Sequence, residues 1–297
     1  MGETNREQQP DYKIEYAINK NPYESLFVDI TSRCNMTCNF CYNPVRSIAD
    51  MPLDHFRYVC ANLPFPVSLK LGGGEPTLHP NLPDFIRIAH QYRHRVYIVS
   101  NGMRYSDPIF MDSLKELKKS GTAFTMGLSM DGGYANNHAY EVINGCDCLQ
   151  QKLEAFNSLI SYKLVRVCLT AIIVRGLNED VIPQLVALAK QNTIVRYLHF
   201  RNAGKVGAWL DTEPYSINEL KGLVRHNFCE DEFKPKCVRE LHCLPESGNE
   251  CCYRFRPTHR LQISLIEFNS ERSARCQKRG RLINNSYNIQ PFFYSMR

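Results

Sequence analysis

The stretch LFVDITSRCNMTCNFCY, residues 26–42, decides the fold and the chemistry of this chain. A short apolar run of strand type leads directly into Cys34, Cys38 and Cys41, spaced Cys-x3-Cys-x2-Cys. Thiolates are the preferred ligands of iron-sulfur clusters, and a 4Fe-4S cluster normally takes four of them. Three thiolates on one loop would leave one iron open, and an open iron can bind and activate a small molecule.

A second motif follows the next predicted strand. Residues 67–76 read VSLKLGGGEP and contain Gly73-Gly74-Glu75. Glycines let the backbone approach a ligand closely, and a carboxylate can accept hydrogen bonds from an ammonium group. Each motif alone has a plainer interpretation, because three cysteines with His55 could form a zinc site and a glycine run is often only a turn. The order of strand, cysteine loop, helix, strand and Gly-Gly-Glu-Pro favours the cluster.

The two motifs resemble those of the radical S-adenosylmethionine (radical SAM) family. Its signature is Cys-x3-Cys-x2-Cys with an aromatic residue, here Phe40, before the last cysteine. The resemblance implies that the three cysteines ligate a 4Fe-4S cluster and that its open iron is chelated by the amino and carboxylate groups of S-adenosylmethionine. One electron from the cluster would then release a 5'-deoxyadenosyl radical, which abstracts hydrogen from a substrate. The Gly-Gly-Glu motif is implied to contact the methionine amino group.

The composition indicates one sizeable enzyme in a reducing compartment. The 297 residues are 43% hydrophobic, and thirteen cysteines in such a chain indicate metal or redox chemistry rather than disulfides. The sequence has no secretion signal and no apolar run of about 18 residues. A net charge of +6 without a run of like charges predicts no nucleic-acid tail. We therefore expect a cytoplasmic protein with neither membrane nor nucleic acid as a partner.

Strands and helices alternate along the chain. Runs rich in β-branched and aromatic residues predict six strands, over 26–30, 67–71, 95–100, 123–129, 165–174 and 195–201. Helical patterns lie between them, over 53–62, 82–92, 108–119, 149–162 and 180–191. Ser216-x-x-Glu219 indicates a capping box before a sixth helix. Such alternation implies parallel strands with right-handed crossovers.

These elements define the expected domain organisation. We predict an α/β fold with a partial (β/α)6 barrel over residues 24–228, because the family resemblance implies a partial barrel and the strand count agrees. An N-terminal extension over residues 1–23 precedes it, and a small cysteine-rich extension over residues 229–297 follows it.

Further candidate residues follow the later strands. Ligands of parallel β/α folds bind at the carboxyl ends of the strands. Family analogy places Ser129 near the methionine carboxylate or the ribose of the cofactor, and turn chemistry is the alternative role for Asn101 and Asp131. Arg201 is expected over the cofactor carboxylate, because a guanidinium can bind a carboxylate through two hydrogen bonds. A solvent-facing arginine is the alternative.

The carboxyl-terminal segment carries a second group of cysteines. Six fall within 48 residues, namely Cys229, Cys237, Cys243, Cys251, Cys252 and Cys276. Residues 260–268 and 272–276 look like a β-hairpin that ends in a cysteine, which resembles the SPASM and twitch extensions of radical SAM enzymes. The resemblance is partial, because Glu271 stands where those extensions usually have a glycine. We expect a second, auxiliary 4Fe-4S cluster, with a structural zinc site as the alternative, and the expected ligands are Cys237, Cys243, Cys252 and Cys276.

Radical SAM families with such extensions modify ribosomal peptides or small natural products, including aminosugars, so the resemblance implies hydrogen abstraction from a substrate of this kind. We expect a small natural product and either epimerisation or dehydrogenation, with the electron supplied by a flavodoxin- or ferredoxin-type donor. The peptide-modifying group often carries an amino-terminal leader-recognition domain, and only 25 residues precede the first predicted strand here, which favours a small molecule over a peptide. A peptide-modifying maturase and a non-enzymatic iron-sulfur or zinc-binding module are the alternatives. Adjacent residues of an extended segment face opposite sides, so one of Cys251 and Cys252 should be unligated, and its thiol could donate a hydrogen atom to a substrate radical.

Overall fold

The computed structural model describes residues 15–43, 49–163, 166–204, 212–230, 252–267, 279–282 and 286–291. The strands are β1 Tyr16–Ala17, β2 Ser25–Thr31, β3 Ser68–Gly73, β4 Arg95–Ile98, β5 Phe124–Ser129, β6 Arg166–Ile173, β7 Val195–Asn202, β8 Cys252–Phe255, β9 Gln262–Ile266, β10 Arg279–Leu282 and β11 Asn288–Pro291. The α-helices are α1 Leu53–Asn62, α2 Leu82–Gln91, α3 Pro108–Lys119, α4 Asn137–Asn144, α5 Leu149–Tyr162, α6 Val181–Gln191 and α7 Ile217–Arg225.

These strands form one sheet in the order β1-β11-β10-β2-β3-β4-β5-β6-β7-β9-β8. Every neighbouring pair from β10 to β9 is parallel, whereas β8 and β11 pair antiparallel near the two edges. Within the described residues the two edge strands, β1 and β8, are not paired with each other. The sheet is therefore open, and the predicted partial barrel, formed by β2 to β7, is confirmed.

The elements predicted for the barrel agree closely with the structure, with one omission. The helix predicted over 108–119 begins at Pro108, and the preceding Asp107 carboxylate accepts a hydrogen bond from the Ile109 amide at 3.0 Å. The capping box before α7 is also present. The sequence analysis missed α4, whose N-cap is Asn136 and which ends at Gly145 with φ of 73°. Both residues are ordinary helix boundary signals, but the helix between them is only eight residues long.

Strands from the carboxyl-terminal segment extend the sheet at both edges. Strand β9 pairs parallel to β7 on one side and antiparallel to β8 on the other. The hairpin predicted from residues 260–268 and 272–276 stays a prediction, because residues 272–276 lie outside the described residues.

The two faces of the parallel strands differ in what they contact. On β3, Leu69 and Leu71 are fully buried in the apolar core, whereas Lys70 is half-buried and lines an internal cavity. Residues from β2, β3, β4, β6, β7 and β9 line that same cavity, so the sheet curls around it. None of the helices in the described part of the chain is long and apolar enough to cross a membrane.

Candidate active site

One cavity of about 250 Å³ collects the motifs at the carboxyl ends of the strands. Nine residues that the sequence analysis assigned to the cluster or to the cofactor line it, namely Cys34, Cys38, Phe40, Cys41, Gly73, Gly74, Glu75, Ser129 and Arg201. Asn101 and Asp131, for which turn chemistry was the alternative, line it as well. The fold thus brings together residues that are far apart in the sequence.

The cysteine loop is held in place by α4. Asn39 donates a hydrogen bond from its backbone amide to the Ile143 carbonyl at 3.0 Å and from its side chain to the Val142 carbonyl at 2.6 Å. Phe40 is buried and packs in a small cluster that includes Ile143 and Val174. The helix missed in the sequence therefore supports the cysteine loop.

Helix α4 also places a polar group on a cysteine. The side-chain nitrogen of Asn144 lies 3.6 Å from the sulfur of Cys38 and 3.0 Å from Oδ2 of Asp131. Burial raises the pKa of the Cys38 thiol to about 11, and the hydrogen bond from Asn144 lowers it. A thiolate is disfavoured there without a cation, and a bound metal is what deprotonates a coordinating thiol. Nothing in the sequence motifs indicated Asn144.

The zinc alternative finds no support in the geometry. His55 does not line the cavity, because its Nε2 lies 3.0 Å from the Ser286 carbonyl oxygen and its ring packs against Tyr287. Within the described ranges, no three His, Cys, Asp or Glu side chains converge on one point as a single metal ion requires. Three thiols around one cavity are a ligand set that a 4Fe-4S cluster can take, with each thiolate on a different iron.

The two glycines of the second motif allow strand β3 to approach the cysteine loop. Gly73 has φ of 114°, and a Cβ atom there would lie 2.2 Å from the Thr31 carbonyl oxygen. A Cβ atom on Gly74 would lie 2.0 Å from the Arg33 carbonyl oxygen. The backbone amides of Gly74 and Glu75 donate to these same carbonyls, each at 2.7 Å. Any side chain at either glycine would push the two motifs apart.

Glu75 is buried and already makes several hydrogen bonds. Its Oε1 accepts from the Thr77 amide at 3.1 Å, the Thr77 hydroxyl at 2.6 Å and the Ser100 hydroxyl at 2.7 Å. Its Oε2 accepts from the Asn101 amide at 2.7 Å. Burial raises the pKa of Glu75, and these hydrogen bonds lower it. The carboxylate thus joins the ends of β3 and β4, and Oε2 keeps capacity for one more donor.

A fully buried lysine orders the next two strand ends. Lys152, on α5, donates from Nζ to the Asn101 carbonyl at 2.6 Å and to both the carbonyl and the hydroxyl of Ser129 at 3.0 Å. The Ser129 hydroxyl accepts from the lysine, so its own proton points elsewhere. Sequence reasoning missed Lys152, because a lysine within a helical pattern is normally solvent-exposed.

Arg201 faces the cysteine loop across the cavity. Burial lowers the pKa of Arg201, whereas the charges of Asp131, Tyr42, Cys41 and Cys38 act in the opposite direction. Asp131 is itself buried, and its Oδ1 accepts a hydrogen bond from the Ile172 amide at 2.8 Å. The solvent-facing alternative for Arg201 is not observed.

Of the carboxyl-terminal cysteines predicted as cluster ligands or hydrogen donors, only Cys252 lies in the described residues. Cys252 is half-buried at the start of β8 and does not line the cavity, but it pairs with Ile266, which does. Ile266 in turn is in register with Arg201. Directly paired residues project to the same face of a sheet, so Cys252 lies on the cavity face. The remaining candidates lie outside the described residues, namely Cys237, Cys243, Cys251 and Cys276.

The residues present fit an iron-sulfur cluster and an amino acid ligand beside it. The site offers thiols, a guanidinium and a carboxylate around one concavity. Asn144 supplies a further indication, because its Oδ1 is buried and has no hydrogen-bond partner within the described structure. Its Nδ2 donates to a carboxylate, which fixes the orientation of the amide and leaves Oδ1 to accept from a bound molecule.

Comparisons with known proteins agree with this site. The model of the Radical SAM superfamily matches residues 28–189, more than half of the chain. The chain is 26% identical over 190 residues to the 7,8-dihydro-6-hydroxymethylpterin dimethyltransferase of Methanocaldococcus jannaschii, covering 61% of this chain and 36% of that protein. It is 24% identical over 222 residues to the GTP 3',8-cyclase of Aquifex aeolicus, covering 70% of this chain and 66% of that protein. The chain thus spans about one third and two thirds of these two relatives.

A solved structure shows the same fold over more of the chain. Streptococcus suis SuiB bound to its precursor peptide SuiA superposes with a TM-score of 0.63 at 14% identity, covering 92% of this chain and 60% of SuiB. At that identity the likeness concerns the fold alone. Together with the family match, it shows that this chain belongs to the radical SAM superfamily, whose cofactors are a 4Fe-4S cluster and S-adenosylmethionine.

Proposed function

We propose that this radical SAM enzyme abstracts hydrogen from a small natural-product substrate, such as an aminosugar, and gives an epimerised or dehydrogenated product. The observation that supports it best is the shared cavity, which places the cysteine loop, the Gly-Gly-Glu motif, Ser129 and Arg201 around one space. A cluster carrier or a zinc module would need only the cysteines. The convergence of the other residues favours catalysis.

The lining residues of the two motifs, together with Ser129 and Arg201, have the following roles in this proposal. Cys34, Cys38 and Cys41 hold the cluster, and Arg201 binds the methionine carboxylate of the cofactor. Gly73, Gly74 and the free capacity of Glu75 Oε2 receive its amino group, and Ser129 contacts the carboxylate or the ribose. When bound and reduced, the cofactors supply a 5'-deoxyadenosyl radical. The enclosing strands keep water and competing hydrogen donors away from the substrate.

The position of Cys252 favours epimerisation. Its thiol lies on the cavity face of the sheet, two strands from β7, which carries Arg201. In the proposed step the S–H bond of Cys252 breaks as a C–H bond forms on the substrate radical. The resulting thiyl radical returns to the thiol by taking up one proton and one electron, and the electron comes from a flavodoxin- or ferredoxin-type donor. Cys251 was the other candidate for this role and stays a prediction.

The comparisons bear on the substrate only indirectly. The curated relatives named above are a pterin methyltransferase and a GTP cyclase, and this supports a small molecule. A peptide substrate is the second candidate, because SuiB has been solved with a precursor peptide bound. The thirteen cysteines support a reducing, cytoplasmic location as part of the same proposal.

Anaerobic reconstitution with iron and sulfide tests the proposed activity. The protein should absorb broadly near ~400 nm, as expected for thiolate-bound 4Fe-4S clusters, and it should form 5'-deoxyadenosine from S-adenosylmethionine under reducing conditions. Replacing Cys34, Cys38 and Cys41 by Ala should abolish that product. Cys60→Ala is the matched control, because Cys60 is a buried thiol on α1 that does not line the cavity. Formation of 5'-deoxyadenosine by the triple variant would refute the proposal.

A further inference from the structure

The cavity has a second layer of polar residues that the proposed cofactor roles leave unused. Lys70 stands three residues before Gly73 on β3, and His199 stands two residues before Arg201 on β7. Tyr97 on β4 and Thr170 on β6 line the cavity as well. A strand rises about 3.3 Å per residue, so Lys70 and His199 lie about 7 to 10 Å before Gly73 and Arg201 along their strands. We name these four residues the cavity floor.

Strand register and ring packing make the cavity floor one continuous surface. Lys70 pairs directly with Tyr97 on the neighbouring strand, and Thr170 pairs directly with His199. Strands β4 and β7 are not neighbours, yet the rings of Tyr97 and His199 lie 6.1 Å apart. Gly127 on the intervening β5 makes this approach possible, because a Cβ atom there would lie 2.6 Å from the Tyr97 hydroxyl.

The charges of the lining residues differ between the two layers. The carboxylates among the described lining residues are Glu75 and Asp131, both in the upper layer and both hydrogen-bonded to protein donors through each oxygen. The cavity floor contributes an ammonium, an imidazole and two hydroxyls. Strand β8 adds a further cation next to the cavity floor. Arg254 on β8 pairs with Ser264 on β9 and donates a hydrogen bond to its hydroxyl at 3.2 Å. Ser264 is in turn in register with His199 on β7.

From this arrangement we infer that the cavity floor binds an anionic group of the substrate, a phosphoryl or a carboxylate, through Lys70 and His199. The inference rests on the proposed function, because it assumes that the cofactor occupies the upper layer. Lysine binds such groups as a point charge, and the Thr170 hydroxyl adds a neutral donor to the same oxygens. The reacting carbon then lies between the anionic group and the cofactor.

Calorimetric titration of the reconstituted protein in excess S-adenosylmethionine tests this inference. The cofactor blocks Arg201, so the added anions report on the cavity floor. The probes are inorganic pyrophosphate for the phosphoryl arm, malonate for the carboxylate arm and glycerol as a neutral comparison. We expect the protein to bind one of the two anions and not glycerol, and Lys70→Met to weaken that binding at least tenfold.

Two further variants control for charge and folding. Lys70→Arg keeps the cation and should retain anion binding within a few-fold. Lys115→Met removes an exposed lysine on α3 and should leave anion binding unchanged.

Equal anion binding by wild type and Lys70→Met, or no preference for anions over glycerol, overturns the inference. A wild-type protein that forms 5'-deoxyadenosine but binds neither anion refutes only this inference. A protein that binds an anion but forms no 5'-deoxyadenosine refutes only the proposed function.

Discussion

The side-chain amide of Asn144 donates a hydrogen bond to the sulfur of Cys38 across 3.6 Å. Cys38 is one of the three cysteines of the cluster loop, and Asn144 is the last residue of α4, with 4% of its surface exposed. The same nitrogen also donates to Asp131, so the amide is held in one orientation. With Cys38 as the proposed cluster ligand, this fixed donor would tune the cluster, because hydrogen bonds to sulfur stabilise the more negative, reduced state.

Asn144→Leu should therefore make the radical SAM cluster harder to reduce. We expect a more negative midpoint potential at unchanged iron content, measured by a redox titration followed by electron paramagnetic resonance. Asn137→Ala is the control, because Asn137 lies on the same helix but does not line the cavity. A potential equal to or above that of the wild type would show that the hydrogen bond has no electronic role.

Lys152→Met should destabilise the fold and weaken cofactor binding. The variant leaves three part-buried acceptors on Asn101 and Ser129 without their donor, and each unsatisfied group costs at most about 1–3 kcal/mol. Thermal unfolding should show the lower stability of the variant as a lower melting temperature, and equilibrium dialysis should show its lower affinity for S-adenosylmethionine. Gln151→Met, on the exposed face of the same helix, should match the wild type. Unchanged affinity would mean that Lys152 has no part in ordering the site.

The sequence predicts this site well wherever strand ends carry the residues. Glu75, Ser129 and Arg201 all lie at or just after the carboxyl ends of strands with clear β patterns, and these ends meet by topology in a parallel sheet. Asn144 and Lys152 carry no such signal. Their roles depend on partners far away in the chain, Cys38 for one and Asn101 for the other, and no local pattern encodes a contact of that kind.

The pairing of the carboxyl-terminal strands was unpredictable for the same reason. Residues 262–266 are a strand, as the apolar pattern indicates, and they pair with β7 on one side and with β8 on the other. Local turn chemistry suggests a hairpin with the next residues along the chain. The strand with which a segment pairs depends on the tertiary structure, because it is set by which edge of the barrel is open.

Breaking the ion pair between Asp29 and Arg281 should destabilise the junction of β2 and β10. Arg281 donates from Nε to Asp29 Oδ2 at 2.9 Å, and both side chains are 4% exposed. Arg281→Met leaves a buried carboxylate alone, at a cost of about 3–5 kcal/mol. Burial raises the pKa of Asp29, and a neutral carboxyl is easier to bury than a charged one. The stability lost in Arg281→Met should therefore be smaller in mildly acidic buffer.

Urea unfolding of the double variant Asp29→Leu/Arg281→Met checks the origin of that loss. An apolar pair of similar volume should recover most of the stability, because no charge is left buried. If the double variant were as unstable as Arg281→Met, the loss would come from packing rather than from the unpaired carboxylate.

The carboxyl-terminal cysteines should hold iron independently of the cluster loop. With Cys34, Cys38 and Cys41 replaced by Ala, the reconstituted protein should retain about one 4Fe-4S cluster, measured by iron and sulfide analysis. Zinc without iron would instead indicate a structural site. Adding Cys276→Ala to that variant should lower the remaining iron, whereas Cys229→Ala, which removes an exposed cysteine, should not.

The same background separates the two roles predicted for Cys252. If Cys252 is the hydrogen donor that its place on the cavity face suggests, then Cys252→Ala should leave the remaining iron unchanged. Cys251→Ala should lower it, because neighbouring residues of a strand point to opposite faces and only one of the two can reach a given cluster. The reverse result, iron lost with Cys252→Ala and kept with Cys251→Ala, would make Cys252 a cluster ligand and leave the substrate radical without a thiol donor from this strand.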